Sequence, residues 1–577
     1  MKLFAALRRA SPSLCPRSLR LSRDLLTVSR LPARPHQYSP SIPRRWTSSF
    51  FSGTDDVIFA LSTAQGPAGI AVIRVSGPAA LDIYRSLCPS KPLPKPRYAT
   101  LRALYDPRHD HGKEVLDSSA LVLYFPAPET VTGEDLVELH VHGGTATVKA
   151  ILAAIPRCRP SSSPHRPMTH RVRYAEPGEF TKRAFMNGRL DLAQVEALSD
   201  VLSAQTEQQR HAAVCGSGGE LGRQYEAWRQ RLLGARAEIE ALIDFSEDQH
   251  FDESPVELLS NVTKYVHQLL ASIEQYKRGS ARSELLRNGI RIAFVGPPNV
   301  GKSSLMNLIV GREASIVSSE AGTTRDIVEA DLDISGYLCR FADTAGFRSA
   351  QETGSTNGIG AVEMEGIRRA RLKAEGSDLV VVLAAVEPCG HLESRNGFTI
   401  RYDTETMRLA AAAKSRAIVI NKIDMVDSNV YQDLLARFKT DVLSAFPELH
   451  AADLISISCA QAEASNTAME PTLSNDPGNI HALTNRLVSS FKNMTSMPVD
   501  LQALLGVTER QRLLLNECTE HLHNFISVAQ AQDDAEAEAD IVIAAEYLRF
   551  AANCLAQIIG RGDTPDVEDV LGVVFEK

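Results

Sequence analysis

Eight consecutive residues near the middle of this 577-residue chain restrict its possible folds more than any other segment. They read Gly296-Pro297-Pro298-Asn299-Val300-Gly301-Lys302-Ser303. The string fits G-x-x-x-x-G-K-[ST] and lies between an apolar run, residues 290–295, and a helical pattern, as a phosphate-binding loop requires. In such a loop backbone N–H groups surround phosphates, Lys302 reaches the β and γ oxygens, and Ser303 ligates Mg²⁺. The segment therefore predicts a nucleoside triphosphate site in an α/β domain.

Three later motifs identify the nucleotide. Asp343-Thr344-Ala345-Gly346 follows a strand-like segment, as expected of a Walker B aspartate and a glycine that senses the γ-phosphate. Asn421-Lys422-Ile423-Asp424 and Ser458-Cys459-Ala460 each follow another short apolar run. A carboxylate at Asp424 can accept hydrogen bonds from guanine N1–H and the exocyclic amine, which adenine does not offer. Asn-Lys-x-Asp alone is more often an exposed turn, but in this order the motifs predict GTP rather than ATP.

The expected GTP contacts form one set. They are Asn299, Val300, Gly301, Lys302, Ser303, Ser304, Ser318, Thr323, Thr324, Asp343, Thr344, Ala345, Gly346, Asn421, Lys422, Asp424, Ser458, Cys459 and Ala460. In Ras-like GTPases a glutamine that positions the attacking water follows the glycine of Asp-x-x-Gly. Phe347 stands there in this chain, so the water must be oriented in another way.

Composition limits the remaining architecture. At about 150 residues per domain, the length indicates three or four domains, and 44% hydrophobic with 23% charged residues is typical of globular proteins. The longest apolar run, residues 379–386, is far shorter than the roughly 20 residues of a membrane-spanning helix, so no membrane span is predicted. The nine cysteines include no Cys-x-x-Cys pair, which indicates neither a disulfide framework nor a structural zinc site. A reducing compartment fits that usage.

The first 50 residues differ from the rest. They contain nine arginines and one acid, Asp24, among serines and leucines, whereas the whole chain has a net charge of −8. Such a segment predicts a mitochondrial transit peptide; the alternative is a basic arm that binds nucleic acid or anionic lipid. The acidic remainder argues against broad affinity for nucleic acid.

Secondary-structure signals divide the chain further. Strand-like runs at residues 70–75, 121–125 and 136–141, with a helical pattern at 145–155, indicate an α+β first unit. Helical spacing dominates residues 190–286 and resumes after 501, and buried-strand signals lie between them. The simplest arrangement is an α/β domain inserted into one helical domain. The expected segments are a transit peptide at 1–50, an N-terminal domain at 54–175, helical halves at 176–288 and 481–577, and a G domain at 289–480.

Several longer strings carry a resemblance to a known family. They are Gly322-Thr323-Thr324-Arg325-Asp326, Asp343-Thr344-Ala345-Gly346 with Arg348, Thr132-Gly133-Glu134-Asp135-Leu136-Val137-Glu138, His142-Gly143-Gly144, Pro177-Gly178-Glu179-Phe180-Thr181 and Ala184-Phe185-Met186-Asn187-Gly188-Arg189-Leu190-Asp191. With Asn299 in the phosphate loop, they resemble the tRNA-modification GTPases called MnmE or TrmE, in a mitochondrial version. The likeness runs from about Asp55 to Phe575. It implies a multidomain α/β and α fold with an N-terminal α+β tetrahydrofolate-binding and dimerisation domain, a discontinuous helical domain and an inserted Ras-like G domain.

The resemblance also implies how GTP is hydrolysed. In this family K⁺ supplies the charge that an arginine finger gives elsewhere, and the matching K⁺ ligands are Asn299, Ser318, Glu320 and Thr323. Ser303 and Thr324 match the Mg²⁺ ligands. Glu363 matches the glutamate that orients water, so Glu363 and Lys302 are the expected catalytic residues; the alternative for Glu363 is a solvated helix face.

The N-terminal domain is implied to bind a tetrahydrofolate derivative. By this resemblance Arg74, Glu138 and Arg189 match the folate-contacting positions. Such residues suit folate, because cations bind its glutamate tail and a carboxylate pairs with the pterin N–H groups. The alternative is an ordinary surface ion pair. The family's Cys-x-Gly-Lys tail has no counterpart in Val574-Phe575-Glu576-Lys577, so no catalytic cysteine is transferred.

By resemblance, the chain is a homodimeric GTPase of the mitochondrial matrix that works with an MnmG-type partner carrying FAD. Together they would install an aminomethyl-type group at C5 of the wobble uridine (U34) of mitochondrial tRNAs, from a folate one-carbon unit, with tRNA bound through the complex. The alternative is a GTP-regulated ribosome-assembly or scaffold protein without substrate chemistry. Arg74, Glu138 and the string from Pro177 to Asp191 favour the first reading, because a scaffold has no need of them.

Overall fold

The computed structural model describes eleven stretches of the chain. They are residues 56–108, 114–159, 170–244, 255–312, 314–316, 329–342, 375–389, 397–451, 453–466, 476–530 and 541–561. All of them belong to one unit, Asp55–Lys577. The predicted transit peptide at residues 1–50 lies outside the described residues.

The first layer is a six-stranded sheet in the order β3-β4-β5-β2-β1-β6. Its strands are β1 (Val57–Leu61), β2 (Ile70–Ser76), β3 (Thr100–Tyr105), β4 (Val115–Phe125), β5 (Leu136–His142) and β6 (Val172–Tyr174). Two helices, α1 (Ala80–Leu87) and α2 (Thr145–Ala154), share a buried core with it. Ile73 and Leu139 point into this core, so their neighbours Arg74 and Glu138 occupy the opposite face. The predicted α+β character of this unit agrees with that arrangement.

β4 begins six residues before the strand predicted at 121–125. The prediction missed this part because three polar residues interrupt the apolar pattern. Asp117, Ser118 and Ser119 hide the strand signal in the sequence. The buried carboxylate of Asp117 accepts hydrogen bonds from the backbone N–H groups of Ser119 and His142, at 2.9 and 2.8 Å. The strand is therefore stabilised by polar pairing that a hydrophobic pattern cannot reveal.

The helical layer is built from segments on both sides of the second sheet. Before that sheet lie α3 (Glu179–Met186), α4 (Leu192–Ser203), α5 (Glu207–Ser217), α6 (Glu220–Asp244) and α7 (Pro255–Asn288). After it lie α13 (Glu509–Gln530) and α14 (Ile541–Ile559), preceded by a 3₁₀ segment, Val499–Gly506. One core joins the two groups, with Tyr225 and Ile273 packed alongside Phe525 and Leu555. The two halves thus fold as a single layer.

α14 is the one helix among the described residues that is long and apolar enough to cross a membrane, judged by length and composition. Half of that window is buried inside the structure. Leu548 and Leu555 lie in the core shared with α6 and α13.

The second sheet has the order β14-β13-β11-β7-β10-β9-β8, with β12 paired to β11. Its strands are β7 (Ile290–Val295), β8 (Ala314–Ile316), β9 (Glu329–Ile334), β10 (Tyr337–Ala342), β11 (Leu379–Pro388), β12 (Phe398–Arg401), β13 (Arg416–Asn421) and β14 (Asp453–Ser456). The pairs β10–β7, β7–β11, β11–β13 and β13–β14 are parallel. Residues 379–386 are buried throughout, as a central strand covered on both faces must be.

Helices cover both faces of this sheet. They are α8 (Lys302–Arg312), α9 (Thr404–Ala412), α10 (Ser428–Ala445), α11 (Cys459–Asn466) and α12 (Ile480–Thr495). α8, α11 and α12 contribute to the core on one face, and α9 and α10 to the core on the other. Because Leu483, Leu487 and Phe491 pack with the strands, the sheet layer extends beyond residue 480.

A network of buried and half-buried charges ties α3 to the first sheet. Arg173 donates to Asp56 and, at 2.8 Å, to Glu179, while Arg183 donates to Glu134 at 2.9 Å and to Glu179 at 3.3 Å. Burial alone would raise the pKa of Glu179, but hydrogen bonds from Arg173 and from a backbone N–H hold that pKa below its usual range.

Replacing Glu179 by glutamine should therefore lower the free energy of unfolding of this layer by about 2 kcal/mol, since Arg173 and Arg183 each lose one of their two carboxylate partners. A carboxyl with a depressed pKa stabilises the fold above its unfolded value, about 4.3, and less as the pH falls through its folded value. The difference between the variant and the wild type should thus shrink below about pH 4.3. Hydrogen exchange of the β1 and β2 amides measures it. Glu207→Gln, which removes an exposed pair with Arg210, is the matched control and should change little; an equal loss in both variants would contradict the argument.

Candidate nucleotide-binding site

The predicted phosphate loop connects β7 to α8 and is held in a shape that only small residues allow. Gly296 and Gly301 have φ values of +150° and +96°, and Asn299 has φ +65°. A Cβ atom on Gly296 would lie 2.3 Å from the carbonyl oxygen of Leu383 in β11, and one on Gly301 would lie 2.2 Å from the Asn421 side chain. The loop therefore packs directly against the ends of the neighbouring strands, which fixes its position on the sheet.

Lys302 closes the loop. Its Nζ donates to the carbonyl oxygens of Gly296 and Pro297, at 2.9 and 2.8 Å. Burial lowers the pKa of this ammonium below its usual range, because desolvation disfavours the charged form. A phosphate in the loop would favour the charged form again, so the site fits an anion at the start of α8. Ser303 and Ser304 lie in the first turn of that helix.

Asn421 joins the loop to the opposite end of the site. Its buried side chain donates from Nδ2 to the carbonyl oxygen of Val300, at 2.8 Å, and accepts at Oδ1 from the N–H of Cys459, at 3.1 Å. One amide thus connects the phosphate loop, the Asn-Lys-x-Asp motif and the Ser-Cys-Ala motif. The N–H donor and the oxygen acceptor of this amide thus hold three segments, which are far apart in sequence, in a fixed arrangement.

Asp424 is positioned by Ser458. The hydroxyl of Ser458 donates to Asp424 Oδ1 at 2.5 Å and accepts from the N–H of Gln461 at 3.1 Å. Asp424 itself is exposed in a short 3₁₀ turn after β13, so its carboxylate remains accessible to a base. This geometry suits an acceptor for the two N–H groups of guanine.

Two residues that sequence reasoning missed support this end of the site. Gly478 has φ +122°, and its carbonyl oxygen accepts from the N–H of Ser458 at 3.0 Å; a Cβ atom there would lie 2.4 Å from the Ser458 carbonyl oxygen. The Pro-Gly pair at 477–478 is a turn signal that could have indicated it. Glu387 accepts from Lys422 Nζ at 3.2 Å and from Arg401. That contact needs the β11–β13 pairing and has no sequence signature.

The structure brings together the described part of the predicted set and leaves the rest untested. Ala460 lies beside Cys459 at the start of α11. The predicted residues outside the described stretches are Ser318, Glu320, Thr323, Thr324, Asp343, Thr344, Ala345, Gly346 and Glu363.

A second predicted site lies on the open face of the first sheet. Arg74 and Glu138 are direct cross-strand neighbours, and the guanidinium donates from Nε and Nη2 to one carboxylate oxygen at 3.1 and 2.9 Å. The guanidinium carbon lies 5.7 Å from the ring centroid of Phe180, and His140 Nε2 lies 3.3 Å from the other Glu138 oxygen. Arg189, after α3, instead donates from Nε to the carbonyl oxygen of Thr130 at 3.0 Å.

Comparison with known proteins gives consistent matches along the chain. Residues 57–189 match the family described as the GTP-binding protein TrmE N-terminus, and residues 192–577 match the MnmE helical domain. The tRNA modification GTPase MnmE of Parvibaculum lavamentivorans is 39% identical over 90% of this chain and 98% of its own length. The mitochondrial tRNA modification GTPase mss1 of Schizosaccharomyces pombe is 36% identical over 90% of this chain and 94% of its own. The human mitochondrial protein named 5-taurinomethyluridine-[tRNA] synthase subunit GTPB3 is 35% identical over 92% and 94%.

Proposed function

Because this chain belongs to the MnmE family of tRNA modification GTPases, we propose that it helps to install an aminomethyl-type group at C5 of wobble uridine in mitochondrial tRNAs. It is a GTPase that takes part in tRNA modification. The observation that best supports a working GTP site is the Asn421 bridge, since it holds the phosphate loop and the guanine motif in one arrangement.

Mass spectrometry of tRNA from cells that lack this chain tests the proposed modification directly. We expect the C5 substituent of wobble uridine to disappear and to return when the wild-type chain is restored. Unchanged wobble uridines in the deletion cells would contradict the proposal. Restoration with Lys302→Ala, which removes the cation that contacts the phosphates, should fail.

Hydrolysis is proposed to depend on two metal ions and one glutamate. Ser303 and Thr324 would hold Mg²⁺, and Asn299, Ser318, Glu320 and Thr323 would hold K⁺, while Glu363 would orient the attacking water. Asn299 is exposed at the mouth of the loop, where its oxygen could meet a cation. A cation at that point stabilises the negative charge that develops on the phosphates.

The first sheet is proposed to bind a tetrahydrofolate derivative through Arg74 and Glu138, with Arg189 as a further contact. In the free protein the two side chains satisfy each other, and their exposed fractions are 26% and 15%. A ligand that carries both a carboxylate and a pair of N–H donors could bind Arg74 through the carboxylate and Glu138 through the N–H groups. The pair therefore suits a ligand with both groups, such as folate.

Replacing Arg74 by alanine should weaken the binding of a tetrahydrofolate derivative at least tenfold, because a bidentate charged donor is lost. Calorimetric titration of the full chain measures the affinity. Arg85→Ala, on α1 beyond the opposite face of the sheet, removes a comparable exposed ion pair and should leave binding unchanged. If the wild-type chain binds no folate at all, the ribosome-assembly or scaffold alternative gains instead.

A partner complex and a mitochondrial location complete the proposal. The human relative is named as a synthase subunit, and that relative and the fission-yeast relative are both named as mitochondrial. We assign the partner as an MnmG-type protein that carries FAD, the oligomer as a homodimer and the compartment as the matrix. The proposed domains keep the boundaries predicted above, and α12, which follows the proposed G domain, packs on its sheet.

A further inference from the structure

Three side chains of different chemistry converge where α13 meets α14. Glu517 and His521 lie one helical turn apart on α13, and Cys554 faces them from α14. One donor atom from each, a carboxylate oxygen, an imidazole nitrogen and the thiol sulfur, lie within 4.8 Å of one another. This cluster, Glu517–His521–Cys554, lies in the helical layer and takes no part in the nucleotide site.

The burial of the three residues forms a gradient. Cys554 is buried, His521 is partly buried and Glu517 is exposed, so the thiol lies at the base and the carboxylate at the solvent edge. An ion could therefore enter past Glu517 and keep one position open to water.

The imidazole has an unused nitrogen. His521 Nδ1 is shielded from solvent and has no hydrogen-bond partner among the described residues, while Nε2 is 3.9 Å from Glu517 Oε1. A buried polar atom without a partner costs free energy, which a bound ligand or ion would recover. The ring packs against Phe550, with centroids 5.3 Å apart, and this contact restrains its orientation.

From these contacts we propose that Glu517, His521 and Cys554 bind one zinc-class divalent ion. Sulfur and imidazole ligands suit Zn²⁺, whereas Mg²⁺ and Ca²⁺ prefer oxygen ligands alone. Tetrahedral Zn²⁺ has metal–ligand distances of about 2.0–2.3 Å, which places ligand atoms roughly 3.3–3.8 Å apart. The donor atoms must therefore approach by about 1 Å, a shift within the reach of side-chain rotation.

The chemical state of Cys554 agrees with this assignment. Burial raises the pKa of its thiol to about 12, so without an ion the sulfur keeps its proton. Metal binding would replace that proton and compensate the buried thiolate. The ion would join α13 to α14, and it would stabilise the helical layer independently of GTP.

Titration of the full chain with Zn²⁺ against a chromophoric chelator tests the site. We expect one equivalent to bind the wild-type chain. His521→Gln and Cys554→Ala should each weaken binding by more than the roughly 10–100-fold that loss of an outer-shell partner costs. Co²⁺ in place of Zn²⁺ should give a thiolate charge-transfer band and the intense visible bands of tetrahedral coordination, and both should vanish in Cys554→Ala.

Two control variants separate this site from the other histidines and cysteines of the chain. His523→Gln alters an exposed imidazole on the same helix, and Cys215→Ser alters a partly exposed thiol on α5; both should bind Zn²⁺ as the wild type does. Unchanged GTP turnover in His521→Gln would show that this variant is folded. Equal Zn²⁺ affinity in wild type and His521→Gln, or a Co²⁺ spectrum without a sulfur band, would overturn the proposal.

Discussion

Replacing Asp424 by asparagine should turn this GTPase toward xanthosine triphosphate. The carboxylate accepts from the two N–H groups of guanine, and an amide can accept from only one of them while presenting its own N–H to the other. Xanthine has a carbonyl oxygen in place of the exocyclic amine, so it matches the amide. We expect kcat/KM for GTP to fall at least about 100-fold and that for xanthosine triphosphate to rise.

Steady-state hydrolysis of both nucleotides measures the switch. The Ser458 hydroxyl can still bond to an asparagine oxygen, so the loop should keep its shape. Asp427→Asn is the matched control, because Asp427 is exposed in the same loop and its side chain makes no capping hydrogen bond to α10. Selectivity that stays the same in Asp424→Asn would place the base pocket elsewhere.

Replacing Na⁺ in the buffer by K⁺ should raise GTP turnover at least about 100-fold, and Asn299→Ala should remove that response. An arginine finger contributes roughly 10³–10⁵ to turnover in related enzymes, and the proposed ion would supply the same kind of charge. The effect requires a ligand oxygen at Asn299, whose backbone already adopts the left-handed conformation that asparagine tolerates.

Two further variants separate the side chain from the backbone. Asn299→Gly keeps the positive φ without strain but removes the oxygen, so it should lose the K⁺ response as alanine does. Asn299→Asp keeps an oxygen and should retain a response. Turnover that is indifferent to the cation in the wild-type chain would refute the K⁺ argument.

The sequence predicted elements whose pattern is set locally. The run at 379–386 is apolar at every position, as a strand buried on both faces must be. The glycines of the phosphate loop predict the turn that they form. Periodicity does not specify tertiary packing. α12 would carry the same helical pattern whether it packed on the sheet or in the helical layer, so periodicity alone does not say with which of the two it shares a core.

Local sequence patterns also could not predict some side-chain contacts of the candidate site. The motifs named Asn421 as a nucleotide residue, but its bridge between Val300 and Cys459 depends on three strand ends meeting at one edge. Likewise, Cys554 lies in a different helix from His521, and no spacing rule connects them. Such contacts follow from topology, which the sequence specifies only through the whole fold.

The strand β10 runs from the helical layer to the predicted Walker B segment. Its last residue, Ala342, immediately precedes Asp343, and the turn at its start touches the helical layer, where Gln208 donates its N–H to the carbonyl oxygen of Gly336 at 3.0 Å. β10 pairs with β9 over all six of its residues and with β7 on its other side, so its two ends are held at a fixed separation. The hydrogen bond from Gln208 therefore attaches the helical layer to the same strand that leads into the predicted Walker B aspartate.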